Sequence, residues 1–454
     1  MAAETRRLLS GWGRTAPTAA KVVEPIDDHE VEWRVGGGAD RRGVIARGLG
    51  RSYNDAAQNA GGLVLDLTRL RTIEHFDADT GVVDASSSIS VEDLLQLFLP
   101  RGWFPPVTPG TRFVTLGGSV AADVHGKNHH HDGSFMDHVR SLRMTTPADG
   151  TTKVEAGDDL FWATAGGMGL TGVVNQVKLQ LRRVETAWMR VDTERATDLD
   201  DVLGRMEEGD AKYEYSVAWI DCLARGPRLG RAVLTRGQHA TAAELPPLER
   251  NEPFTLPPTI ELAAPPWVPA GLLNKATVRT FNELWFRRAP KHERERIVAY
   301  PSFFYPLDGV EGWNRLYGKR GFVQYQAVVP LAATGTLRSM IERLGREGTA
   351  SFLSVLKRFG PGNRGMLSFP TEGWTLALDI PVSGHDLRPM LDQLDRMVVD
   401  AGGRVYVAKD SRVDPGLLRA MYPRLDEWKA VQATADPDGV MQSDLGRRLG
   451  LVRR

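Results

Sequence analysis

Apolar Val173, Val177, Leu179 and Leu181 alternate with polar Gln176, Lys178, Gln180 and Arg182, the period of a half-buried strand. Shorter apolar runs predict strands at 43–47, 62–67, 215–220, 321–329 and 375–382. Residues 90–99 carry helical spacing instead, with Ser90 as N-cap, Asp93 at the capping-box position and Pro100 as the stop. Further helices are expected at 159–165, 337–344 and 387–399. The first third thus mixes strands and helices. From about Val184 glycine loops thin out and the pattern predicts a second α+β domain, before 402–410 returns to a glycine pair followed by a strand that carries Lys409.

Glycine distribution adds a functional hint. Four clusters lie between Arg47 and Gly172: Gly48-Leu49-Gly50, Pro109-Gly110-Thr111 with Gly117-Gly118, the His125-Gly126-Lys127 segment, and Gly166-Gly167-Met168-Gly169 through Gly172. Glycine lets backbone amides approach an anion closely, and several amides aimed one way form a nest, so four clusters suggest a large anionic cofactor. The last cluster contains a Gly-x-Gly-x-x-Gly string, but a dinucleotide motif needs a strand before it and a helix after it, and here the order is reversed.

Composition narrows the classes. The 454 residues carry 57 basic and 57 acidic side chains and 42% hydrophobic residues, a globular chain without the basic footprint of a nucleic-acid binder. One cysteine, Cys222, excludes an internal disulfide, a Cys-ligated zinc and an iron–sulfur cluster. His125, His129, His130, His131 and His138 crowd one segment, yet consecutive histidines diverge and their near neighbours are mostly glycines rather than orienting carboxylates, so no metal is expected. Arg6-Arg7-Leu8-Leu9 has no apolar stretch behind it, so no signal peptide is expected, and no transmembrane helix. The Pro-rich 254–273 segment, with Leu256, Ile260, Leu262, Trp267, Val268, Leu272 and Leu273, reads as a long loop, a lid or a membrane-contacting element.

Together these motifs resemble the FAD-binding domain of vanillyl-alcohol-oxidase (PCMH-type) flavoproteins. The further strings Gly11-Trp12-Gly13-Arg14-Thr15-Ala16-Pro17, Gln324-Tyr325-Gln326, Ala408-Lys409-Asp410-Ser411-Arg412 and Met421-Tyr422-Pro423-Arg424 resemble the decaprenylphosphoryl-β-D-ribose 2′-oxidase family within it. The resemblance implies an α+β, two-domain fold with an antiparallel-sheet substrate domain: 1–188 for FAD, 189–400 for substrate, and 401–454 returning to complete the FAD domain. It also implies oxidation of the ribose 2′-hydroxyl of a polyprenyl-phosphate-linked substrate to the ketone, the first step of epimerisation to the arabinose donor for cell-wall arabinan. An NADH-dependent reductase would complete that epimerisation, and the protein would lie at the cell envelope, peripheral to the plasma membrane.

By matching motifs, FAD contacts fall on Ala46, Arg47, Gly48, Leu49, Gly50, Arg51, Ser52, Tyr53, Asn54, Asp55 and Ala56, then on Gly110 and Thr111, and on Thr115, Leu116, Gly117 and Gly118. They continue at Ala122, Asp123, Val124 and His125, at Gly172 and Val174, and at Tyr406 and Lys409. Lys409 matches the active-site lysine, while His125 and Lys127 compete as general base. Tyr53, His125, Trp219, Tyr305, Gln324, Gln326, Lys357, Thr375 and Ala377 match substrate-pocket positions, Lys357 being the candidate for the lipid phosphate. Arg51 stands where many superfamily members attach flavin through a histidine, so the FAD is expected to be dissociable, with the arginine fork suited to phosphate. Ala377 and Thr375 stand where mycobacterial relatives carry cysteine and asparagine. Two other readings remain: an alditol or sugar-lactone oxidase using O2, and a non-catalytic metal- or glycan-binding protein.

Overall fold

The computed structural model describes residues 1–37, 42–257, 262–265, 273–348, 351–382 and 386–453. Its N-terminal part holds two sheets. In the first, Thr5–Leu9, Thr18–Val23, Leu63–Asp66 and Val44–Arg47 lie side by side in that order, the last two running parallel. The Arg6-Arg7-Leu8-Leu9 stretch is therefore strand. The second is antiparallel, in the order Ile73–Phe76, Val82–Ser86, Val173–Gln180, Val139–Thr146, Gly150–Glu155. Helix Asp159–Thr164 precedes the last glycine cluster and strand Val173–Gln180 follows it, the reverse of a dinucleotide motif.

Ser90 caps helix Val91–Phe98 with a complete capping box. The α-helix ends at Phe98, just ahead of Pro100 as expected. Proline is tolerated in a first helical turn, and a 3-10 turn Leu99–Arg101 carries the chain on to left-handed Gly102.

An eight-stranded antiparallel sheet dominates the rest: His292–Ala299, Trp188–Ala196, Ala232–His239, Tyr215–Ile220, Ser354–Phe359, Gly373–Pro381, Phe322–Val329 and Arg404–Val405. Strand side chains alternate between faces, and here the alternation divides labour. One face sends Ala218, Leu234, Leu356, Leu376, Leu378 and Ala327 into a core shared with helices Leu199–Gly209, Thr334–Glu347 and Arg388–Asp400. The other sends Val217, Trp219, Val233, Val355, Lys357, Ala377, Asp379, Gln324 and Gln326 into a cavity.

The strand expected at 402–410 is only Arg404–Val405. Tyr406 N–H still reaches Gln326 O, but Asn54 Nδ2 takes the carbonyls of Val407 and Asp410, and Lys409 N–H bonds back to Tyr406 O, curling the segment into a turn. Beyond it the chain returns to the N-terminal part. Trp428 is fully buried with Nε1 donating to Ala163 O, Met441 bridges Val44, and Arg448 pairs with Asp55 and Asp410.

Within the Pro-rich segment, Leu262–Ala263 pairs in parallel with Val310–Glu311, so it is not wholly irregular. Leu256 and Leu273 pack against neighbouring apolar clusters, while Ile260, Trp267, Val268, Leu272 and the side chain of Leu262 lie outside the described residues.

Candidate active site

A cavity of about 780 Å³ runs between the glycine loops and the polar face of the large sheet. One wall is the loop leaving strand Val44–Arg47. The N–H groups of Gly48, Leu49, Gly50, Arg51 and Ser52 donate to nothing among the described residues, which leaves a row of amides for an anion. Two glycines there are obligatory. A Cβ on Gly48 would stand 2.4 Å from Thr115 Oγ1, and Gly50 (φ +64°) has the Arg47 guanidinium 2.3 Å from where its Cβ would be. Arg47 is held in that place by the carbonyls of Ala57 and Ser10. Thr115 caps helix Leu116–Ala121 and brings Gly117 and Gly118 to the same wall.

The Arg51 guanidinium lies 3.9 Å above the Trp12 ring and 5.3 Å from Phe113, with Nε buried and without a partner among the described residues. Burial draws its pKa below the ordinary value, against the pull of Asp308. A half-buried cation beside a row of unbonded amides fits the pyrophosphate of FAD.

The opposite wall gathers charge. Lys127, Lys357 and Lys409 line the cavity, and the carboxylate Asp379 lies beside Lys409. Burial lowers Lys409 to about 8 although Asp379 raises it, and Lys127 to about 7. Lys357 falls well below its ordinary value through burial and then the other two lysines. Asp379 rises to about 7 through burial, offset by Gln324, Lys409 and Tyr317. Its oxygens accept from Gln324 Nε2 and, at 3.4 Å, from Tyr317 Oη.

Each lysine is oriented by its surroundings. Lys409 Nζ sits 5.4 Å from the Tyr53 ring and 5.8 Å from Tyr406. Lys357 Nζ donates to Gly126 O at 3.3 Å. Lys127 Nζ donates to the carbonyls of Phe303 and Phe304.

His125 is boxed by Phe359, Phe369 and Tyr406 at 4.8, 5.5 and 5.2 Å. Gln326 Nε2 lies 3.0 Å from its Nε2 and from Thr375 Oγ1. Burial, then Lys357 and Lys409, drives its pKa well below 6.5. The suitable basicity expected of His125 is therefore lost on folding.

The other histidines diverge. His130 faces the carbonyls of Asp210 and Tyr213, His131 pairs with Asp132, and His138 meets Asp132 O. Among the described residues no group of three or more His, Cys, Asp or Glu side chains could hold a metal ion.

Most expected FAD positions line the cavity: Ala46 through Tyr53, Ala56, Gly110, Thr111, Thr115, Gly117, Gly118, Ala122, Val124, His125, Gly172, Val174, Tyr406 and Lys409. Four stand behind it. Asn54 braces the Lys409 turn, Asp55 pairs with Arg448, Leu116 is core, and Asp123 is sealed among Ser134, Ser368 and Asn363. Of the expected substrate positions, Tyr53, His125, Trp219, Gln324, Gln326, Lys357 and Ala377 line the cavity. Tyr305 does not, because its hydroxyl is spent on Thr108 at 2.6 Å, and Thr375 lies under Gln326.

Sequence reasoning missed Asp379 and Trp12 as wall residues. A lone carboxylate at the alternate position of the apolar run 374–380 was the available signal for Asp379. Nothing local marks Trp12, which reaches the cavity through tertiary folding.

Comparison with known proteins bears on the cofactor and the class. Residues 20–154 match the family described as FAD binding domain. The decaprenylphosphoryl-beta-D-ribose oxidase of Mycolicibacterium smegmatis is 44% identical over 455 residues, covering 99% of this chain and 98% of the relative. An uncharacterized protein of Streptomyces coelicolor is 42% identical over 80% of this chain and all of its own length. The alditol oxidase of a Streptomyces species is 23% identical over 95% and 96%. With the first of these similarities running nearly the full length of both chains, and glycine loops and three lysines lining one cavity, the chain belongs to the decaprenylphosphoryl-β-D-ribose oxidase family of FAD-binding proteins.

Proposed function

We propose that the protein oxidises the 2′-hydroxyl of decaprenylphosphoryl-β-D-ribose to the 2′-ketone with dissociable FAD as the acceptor. This would be the first half of a 2′-epimerisation that an NADH-dependent reductase completes. The observation that carries it is one cavity lined by three lysines, Lys409 among them beside Asp379, and by unbonded amides suited to a pyrophosphate. When bound, FAD supplies a ring that takes a hydride from the carbon bearing the hydroxyl.

The chain's own residues have three tasks. The Gly48–Ser52 amides and Arg51 hold phosphate oxygens. Lys409, in a water-poor pocket between the Tyr53 and Tyr406 rings, offsets the negative charge that hydride transfer creates. Lys357, with no anion of its own among the described residues, meets the substrate's phosphate, and Gln324 and Gln326 orient the sugar.

The hydroxyl proton needs an acceptor. Lys127 fits better than His125: as a neutral amine its two N–H groups bond the carbonyls of Phe303 and Phe304, leaving the lone pair on Nζ. A pKa near 7 makes that neutral form abundant at working pH.

No helix among the described residues is long and apolar enough to cross a membrane, and we place the protein at the membrane periphery, where a lipid-linked sugar resides. The test is anaerobic mixing of the holoenzyme with decaprenylphosphoryl ribose. Bleaching of the flavin absorbance with formation of the ketone is expected. Bleaching by free alditols and indifference to the polyprenyl phosphate would overturn the proposal.

A further inference from the structure

The largely exposed apolar side chains are scattered except in one place. Phe281 (42% exposed), Leu284 (63%) and Trp285 (48%) fall within one turn of helix Lys275–Arg288. Their spacing of three and four residues puts them on one face. The Phe281 and Trp285 rings are stacked with centroids 6.0 Å apart, so this face has a fixed shape.

The helix is anchored along the adjoining strip of the same apolar face, and Leu284 lies at its outer edge. Val278 and Asn282 are buried, and Asn282 Nδ2 donates to Asp221 at 2.7 Å. Arg231 joins Asp221 to Glu283. Nothing in this anchoring needs Leu284 exposed, and a globular protein gains nothing from three large apolar groups side by side in water.

The helix carries an excess of positive charge. The helix carries Lys275, Arg279, Arg287 and Arg288 against one acid, Glu283, and that acid is engaged by Arg231 and Arg287. Arg279 and Arg288 make no ion pair among the described residues. An apolar aromatic stripe with Arg288 one turn beyond Leu284 on the same face, on a helix of net positive charge, suits the interface of an anionic bilayer.

The patch also borders the cavity. Trp285 lines it, as do Glu293 and Arg296 of the edge strand; Arg296 is 62% exposed, which marks an opening to solvent. Inward from that opening the sheet presents Val191, Thr193, Val217, Val233, Thr235 and Val298, an apolar trough leading towards Trp219 and Lys357. Trp219 Nε1 bonds Phe352 O, and the Phe352 ring meets Phe281 edge-on at 5.8 Å, so trough and patch are packed together.

We infer that the exposed face of helix Lys275–Arg288 docks on an anionic lipid surface and sets the cavity mouth against the bilayer, so that a prenyl chain passes from lipid into the trough without crossing water. The inference rests on the lipid-linked substrate proposed above, and the two can fail separately.

The test is sedimentation of the FAD holoenzyme with vesicles of equal parts phosphatidylglycerol and phosphatidylcholine, against vesicles of phosphatidylcholine alone. Wild type is expected to prefer the anionic vesicles. The double variant Leu284→Glu, Arg288→Glu should lose binding about ten-fold or more, since both the apolar and the electrostatic contributions are removed. Leu284→Phe should retain it. Neither Leu284 nor Arg288 lines the cavity, so flavin reduction by a short-chain, water-soluble prenylphosphoryl ribose should be unchanged in the double variant.

Equal vesicle binding by wild type and double variant would overturn the docking face. So would absence of wild-type binding, or a dimer that the variant dissociates while vesicle binding persists. A failure of flavin reduction in wild type would instead overturn the function.

Discussion

Asp379 is the carboxylate beside Lys409 in the cavity, and its influence on that lysine can be tested by titration. Burial pulls Lys409 down to about 8 and the carboxylate pulls it up, so removing the carboxylate lowers it further. Flavin reduction that requires protonated Lys409 falls as pH rises through that value. Asp379→Asn should therefore move the high-pH limb of the reduction rate to lower pH, by about one unit for a partner of this kind. An unmoved limb would show that the pair is uncoupled.

Lys409→Met should leave FAD bound while flavin reduction by substrate collapses by about a hundred-fold or more, the scale of a lost electrostatic stabiliser. Rapid mixing under anaerobic conditions reads this directly. Ala377 offers no thiol to the cavity, so a thiol-directed inhibitor should not label this wall, and Ala377→Cys should create a site visible by intact mass. That Lys409, Lys357, Gln324 and Gln326 share one cavity was legible because a resemblance grouped them. Asp379 was not, since its importance lies in the lysines that folding brings to it.

At the scale of elements, the loop after strand Val44–Arg47 works because two side chains are missing. Gly48→Val would drive methyl groups into Thr115, and that hydroxyl already caps the helix bearing Gly117. FAD affinity, followed by ultrafiltration and flavin absorbance, should fall about ten-fold or more, the equivalent of the ~1–3 kcal/mol such strain costs.

The strands at 215–220, 321–329 and 375–382 were legible from apolar runs to within about two residues, since each packs one face against helices. The run Val405-Tyr406-Val407-Ala408 misled. It is as apolar as a strand, yet Asn54, from 353 residues earlier in the chain, captures the Val407 carbonyl and bends it. No local pattern reports such a partner. That bend places Lys409 in a turn against Tyr53.

Across the whole molecule, the last fifty residues join the two halves. Trp428, fully buried against the helix before the fourth glycine cluster, is the main apolar anchor. Trp428→Ala should lower unfolding stability by about 3–5 kcal/mol, measured by chemical denaturation of the holoenzyme, if unfolding stays cooperative. The change in style at 402 was legible, but the ion pair of Arg448 with Asp55 was not, because it joins residues 393 positions apart.

In strand Gly373–Pro381, Trp374, Leu376 and Leu378 grip the scaffold while Ala377 and Asp379 face the cavity. One residue inserted ahead of Thr375 would rotate this strip by half a turn, bury the carboxylate under the helices and present leucines to the sugar. Point replacements on the wet side, by contrast, leave the dry side intact, so substrate preference can drift over generations without the architecture having to be reinvented.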